Sequence, residues 1–320
     1  MTTSFFSSIW AQILPILNVI ISPDFLYSVL RLSTPILFAT MAALVSDRAG
    51  VTNISIEGAM LFAALMGVVG SAYTQSCWVG LLIAIASGML FSLMLAFFHL
   101  WLKTNLVLTC IALNSLSSGL TIFILFMLTG DRGVSTALPS VNMPKVDIPL
   151  IKDIPYLGAV ISGQNILTYI AVLVVILVAV LLYKTKLGTY IRAVGENPHA
   201  IETAGFPARR IRFYALLISG AIAGMGGSFM SMAYVTGFTK DMVSGRGFIA
   251  LAAEAMGRGK PLLSSIAALL FGFTDSLANN LQVLGLSSDL ARMFPYVITI
   301  IALSVYAGRV NRTRKAKKGK

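Results

Sequence analysis

Long apolar runs, one after another, dominate this chain. They lie near 5–21, 26–45, 56–73, 79–101, 106–128, 166–183, 213–235, 262–284 and 294–308. An α-helix rises ~1.5 Å per residue, so runs of this length suit the ~30 Å hydrocarbon core of a bilayer. In lipid every backbone N–H and C=O must be bonded within the protein, which makes helices the spanning element. A tenth run, 247–256, is too short to span alone. It ends in Gly257-Arg258-Gly259-Lys260-Pro261, a helix-breaking turn with two positive charges. It reads as a half-helix or re-entrant segment that still returns the chain across the membrane, which requires surrounding protein or a water-lined cavity. The expected fold is an all-α polytopic membrane protein with nine or ten transmembrane helices, this broken segment included.

Composition excludes most other classes. Hydrophobic residues make up 57% of the 320 and charged residues 11%, against ~45–50% and ~25% in soluble domains. With a mean hydropathy of +0.86, the chain has too little polar surface for a water-soluble enzyme or nucleic-acid binder. The net charge of +12 is therefore read by position. With ten crossings and an inside N-terminus, the inner loops hold 17 of the 24 Lys and Arg and the outer loops 6. That asymmetry predicts both termini on the cytoplasmic side of the cell membrane. A single transmembrane domain over 1–308 and a basic tail over 309–320 follow. No Lys or Arg precedes Arg31, so the first run lacks a signal peptide's charged start and is expected to be retained.

Motifs for chemistry are missing. Gly259-Lys260 runs into Pro261 instead of forming a phosphate-binding loop, and no HExxH occurs. Two cysteines, Cys77 and Cys110, and two histidines, His99 and His199, give neither a disulfide framework nor a metal set. Neither catalysis nor a bound cofactor is expected of this chain.

Two loops are long. The first, 129–165, carries Pro139, Pro144, Pro149 and Pro155, which argue against one continuous helix, and it is expected on the extracellular side. The second, 184–212, is expected in the cytoplasm. There Asn197 is placed to cap a helix with Pro198 at its first position, and Gly205 to end it. A rigid helix of about two turns results, followed by Arg209, Arg210 and Arg212. It reads as a docking knob for a cytoplasmic partner, although a plain basic connector would have the same charge.

Several polar groups fall in or near spans: Arg31, Glu57, Glu254, Asp275, His99, and the amides Asn53, Asn114, Asn279 and Asn280. Such groups tend to face the bundle interior or water. Asn53, Glu57, Asn114 and Glu254 are candidates for lining a path for a small polar solute; helix-to-helix hydrogen bonding would use them equally well. Gly50 precedes Glu57 by seven residues and Gly247 precedes Glu254 by seven, on segments entering from opposite sides, as an inverted repeat requires. Gly220, Gly224 and Gly227 form a small-residue face for close helix packing.

Two stretches carry a family resemblance. One runs Asp47-Arg48-Ala49-Gly50-Val51-Thr52-Asn53-Ile54-Ser55-Ile56-Glu57-Gly58-Ala59-Met60. The other runs Arg192-Ala193-Val194-Gly195-Glu196-Asn197-Pro198, through Ala204-Gly205, to Ser219-Gly220-Ala221-Ile222-Ala223-Gly224-Met225-Gly226-Gly227. Over roughly 25–309 the chain resembles the permease subunits of ATP-binding-cassette importers of the ribose, branched-chain amino-acid and nucleoside group. Its Asn53 and Glu57-Gly58 resemble the nucleoside or "simple sugar" branch. The resemblance implies that Gly195, Glu196, Asn197, Pro198, Ala200, Ala204 and Gly205 form the coupling helix that docks on a separate ATPase subunit. It also implies a second permease subunit, commonly a different chain, and an extracellular substrate-binding lipoprotein, with ATP bound only by the partner. The rival expectation is an ion- or proton-coupled secondary transporter using Glu57 and Glu254.

Overall fold

The computed structural model describes residues 22–149, 154, 156–283 and 297. The crossings expected at 5–21 and 294–308 and the basic tail fall outside these residues, apart from Val297. Seven helices among the described residues are long and apolar enough to cross a membrane. They are built on α1 (Pro23–Arg48), α2 (Ile56–Thr74), α3 (Cys77–Ala96), α4 (Leu106–Thr129), α6 (Ile166–Lys184), α9 (Ala208–Phe229) and α11 (Pro261–Val283). A π-helical turn extends α3 over Phe97–Trp101, and another extends α9 over Met230–Tyr234. Shorter helices complete the set: α5 (Leu157–Ile161), α7 (Lys186–Glu196), α8 (Pro198–Thr203) and α10 (Arg246–Met256). Strands among the described residues are two pieces of two residues each, β1 (Lys145–Val146) and β2 (Gln164–Asn165).

Local chemistry sets the helix ends. Asn105 caps α4 by accepting from the N–H groups of Val107 and Leu108, Asn165 caps α6 at Leu167, and Thr185 caps α7 at Gly188. Each supplies an acceptor to an N–H that the helix cannot satisfy itself. Within the loop expected over 184–212, α7 occupies Lys186–Glu196. Its signals are the Thr185 cap and the spacing of Leu187, Ile191 and Val194, of which Ile191 and Val194 are buried.

Two compact units divide the chain. In the smaller, which combines residues up to Ser33, 145–164 and 270 onward, Tyr27 donates to the Gly163 carbonyl at 2.9 Å and Phe25 meets Phe273 edge-on at 5.3 Å. In the larger, α2, α3 and α9 pack through small residues. A Cβ placed on Gly220 would come within 2.5 Å of the Gly88 carbonyl, and one on Gly224 within 2.5 Å of the Ala84 carbonyl. Gly227 lies directly against the Met60 carbonyl. The glycine face thus brings α9 backbone-to-backbone against both neighbours, where dispersion and weak polar contacts replace the hydrophobic drive absent in lipid. In contrast, α4 and α6 present Leu108, Met127, Val172 and Ile176 outward, a surface suited to lipid or another apolar chain.

Candidate functional site

The short helix α10 is the centre of the larger unit's polar chemistry. Eleven residues give it a length of ~16 Å, about half a hydrocarbon core. Its first N–H groups and last carbonyls need partners from elsewhere. Glu57, at the start of α2, supplies the first set: one carboxylate oxygen accepts from Gly245 N–H and the other from Gly247 N–H, both at 2.7 Å. The last carbonyls are met by the turn that follows, where Gly257 N–H donates to the Ala253 carbonyl and Arg258 N–H to the Ala255 carbonyl, and Arg48, the last residue of α1, holds that turn. Its guanidinium donates from Nε to the Gly259 carbonyl at 2.7 Å and from Nη2 to the Arg258 carbonyl at 2.9 Å. An anion therefore sits at the positive end of the helix dipole and a cation at the turn following its negative end. Both come from one stretch, 48–57, lying alongside α10. Gly247 has no room for a side chain: a Cβ there would fall 2.7 Å from the Glu57 backbone nitrogen.

The two Gly-to-Glu segments consequently run antiparallel against each other. Gly247 touches Glu57, while Glu254, 8% exposed, lines a cleft of about 420 Å³ with Asp47, Arg48 and Arg258. Their backbones differ, since 51–53 is non-helical and 246–256 is helix.

Asn53 and Asn114 are engaged inside the protein. Asn53 is fully buried; its side-chain oxygen accepts from the Ser55 hydroxyl at 2.6 Å and the Ser55 N–H at 3.0 Å, and its amide donates to the Ser219 hydroxyl at 3.4 Å. Asn114 on α4 accepts from Gly58 N–H at 2.9 Å and donates to the Ile54 carbonyl at 3.1 Å, beside a Ser117 hydroxyl that donates to the Gly58 carbonyl at 2.7 Å. These bonds hold the unwound 51–55 stretch and the first turn of α2 to α4.

The helix expected after Asn197 is present as α8. Asn197 accepts from Ala200 N–H at 3.2 Å, Pro198 is the first helical residue, and Gly205, at φ +87°, ends the turn in the left-handed region. The closing bond runs from Phe206 N–H to the Ile201 carbonyl at 3.1 Å, a Schellman-like finish. Ile201 is buried, whereas Glu196, Asn197, His199, Ala200, Ala204 and Gly205 are exposed. Gly195 belongs to the last turn of α7. It lies directly against the Arg48 carbonyl and close to the Gly50 backbone, and Arg212 adds a bond from Nε to the Ala49 carbonyl at 3.2 Å. A continuous run of contacts thus joins α8, α7, the 48–50 turn, Arg48 and α10.

The family model described as "Branched-chain amino acid transport system / permease component" matches residues 25–303. The chain belongs to this permease family. It is 32% identical to the guanosine ABC transporter permease protein NupQ of Bacillus subtilis, over 94% of this chain and 95% of that one. It is also 32% identical to the nucleoside ABC transporter permease protein NupC of Lactococcus lactis, over 87% and 90%. A putative glucose ABC transporter permease protein of Haloferax volcanii, TsgC13, shows 32% over 91% and 94%. Each organism also holds a second matching permease protein, respectively NupP, NupB and TsgB13. No solved structure matches the chain. The permease is thus a multi-pass membrane protein, and its fold includes the half-length helix α10.

Sequence reasoning missed two features of this permease. Arg48 was counted only for its sign, because its bond to Gly259 spans 211 positions of chain. The second is Asp241, which accepts from the Ser118 hydroxyl at 2.9 Å, in the middle of α4.

Proposed function

We propose that this permease is one of two different membrane subunits of an ATP-binding-cassette importer that carries nucleosides. The observation behind this reading is near-full-length similarity, at equal identity, to permeases named for guanosine and for nucleosides. The presence of a second permease protein in each of those organisms supports a pair of unlike chains. A separate ATPase would dock on α8, which is exposed, rigidly capped and anchored by Ile201. Residues 129–165 would then face the extracellular binding protein, and both termini the cytoplasm, in line with the distribution of Lys and Arg.

Driven by the ATPase, α8 would move with α7, whose Gly195 bears on the 48–50 turn. Arg48 would carry that displacement to the end of α10, and Glu57 to its beginning. ATP drives such a change only by favouring one arrangement of the permease over another. The test is uptake of labelled guanosine, uridine and glucose by cells expressing the permease with its genomic neighbours. Saturable nucleoside uptake that excess glucose leaves intact supports the reading. Glucose uptake insensitive to nucleosides overturns the solute assignment in favour of a simple sugar.

A further inference from the structure

Residues 235–245 are non-helical, yet they reach the middle of a membrane-spanning helix. Ser118 lies twelve residues after Leu106 and eleven before Thr129, the two ends of α4. At ~1.5 Å per residue it is ~17 Å from either end, close to the midplane of a ~30 Å core. Asp241 is bound to it at 2.9 Å and is exposed. An exposed carboxylate at that depth is costly against lipid and tends to face water or other protein. Irregular backbone at that depth likewise belongs beside a water-lined cavity or within protein.

The turn is built to present that carboxylate. Phe238, Met242 and Val243 are buried and anchor it from below, while the Lys240 N–H donates to the Gly133 carbonyl at 2.8 Å. Asp241 and Ser244 hold φ near +53° and +52°, a left-handed conformation that Asp accepts more readily than most residues. Next to Ser118 on α4, Ser115 is exposed and Gly119 has open space where a side chain would stand. Glu57, by contrast, is committed to Gly245 and Gly247.

We propose that Asp241, oriented by Ser118, contacts the solute at the membrane midplane, accepting hydrogen bonds from sugar hydroxyls as the nucleoside passes. This rests on the importer reading above. A carboxylate is an acceptor-only group with two oxygens, one already engaged by Ser118, and it suits a diol better than a base edge rich in acceptors. Asp241 thereby joins a polar edge of α4 that discriminates by the hydroxyls a solute carries.

Two measurements separate this proposal from the importer reading. In the first, the assembled complex is reconstituted with ATP, and transport of a ribonucleoside is compared with that of its 2′,3′-dideoxy analogue. The native complex favours the ribonucleoside; Asp241→Asn and Ser118→Ala reduce that preference by about tenfold or more, a size typical of a hydrogen bond to a charged group. ATP hydrolysis stimulated by the loaded binding protein persists in both variants. An unchanged preference in Asp241→Asn, or failure of both variants to assemble, overturns the proposal, the latter by making Asp241 a contact to the sister chain. In the second, Ser115→Cys in a Cys77→Ser background is treated with a charged, membrane-impermeant thiol reagent. Labelling that saturating transported solute suppresses is expected whatever that solute proves to be. No labelling overturns the path placement even if nucleosides are the cargo.

Discussion

The helices α8 and α10 are both too short to be stable alone, and the protein secures them in opposite ways. For α8 the partners are local: Asn197, Pro198 and Gly205 lie within nine positions and carry no charge. For α10 they are distant and ionic, Glu57 and Arg48 reaching across 188 and 211 positions. Surroundings explain the difference. A helix exposed to water can leave some terminal groups to solvent. The start of α10 is enclosed instead, with Gly247 buried, and a charged partner interacts more strongly where the dielectric is low. One element thus keeps its shape independently of its neighbours, while the other is defined by the segment it is clamped to.

Breaking the clamp should have the largest effect. Glu57→Ala leaves the part-buried N–H groups of Gly245 and Gly247 without their acceptor and is expected to destabilise the permease by ~2–4 kcal/mol. Thermal unfolding of the detergent-purified protein would show this as a lower Tm and a poor yield. Glu57→Gln, which keeps one carbonyl acceptor, should lose about half as much. A Tm unchanged in both would separate α10's stability from Glu57.

Arg48→Ala should follow at ~2–3 kcal/mol, since Gly259 and Arg258 lose their charged donor. Arg48→Lys should recover part of the stability but less of the transport, because an ammonium lacks the planar fork that spans two carbonyls. Full transport in the lysine variant would show that charge alone suffices.

Much of this architecture could be read from the sequence because its causes are local. Apolar length marked the spans, and Asn197-Pro198 with Gly205 marked α8, since capping uses residues three or four positions apart. The shortness of 247–256 was visible for the same reason. What holds that helix was not: no local pattern ties Arg48 to Gly259 or Glu57 to Gly245. Asn53 and Asn114 illustrate the same limit. Their residue type shows that they need hydrogen-bond partners, but only the fold shows those partners to be Ser55, Ser219, Gly58 and Ile54. Asp241 was not singled out because no local pattern marks it: its bond to Ser118 spans 123 positions of chain.

Self-capping predicts milder consequences at α8. Asn197→Ala should cost ~1 kcal/mol, a small change in Tm, yet reduce solute transported per ATP hydrolysed as the helix frays. Gly205→Ala, placing a Cβ in the left-handed region, should cost ~1 kcal/mol with the complex still assembled. If either variant lowered Tm as far as Glu57→Ala does, the contrast between the two helices would fail.

The most direct measurement is solute uptake and ATP hydrolysis recorded together in proteoliposomes holding the full complex, with Gly205→Arg compared with the native permease. Docking at α8 predicts that the variant remains in the membrane while uptake falls to background. Native uptake by an intact Gly205→Arg complex, or uptake by the permease with no ATPase present, would contradict it.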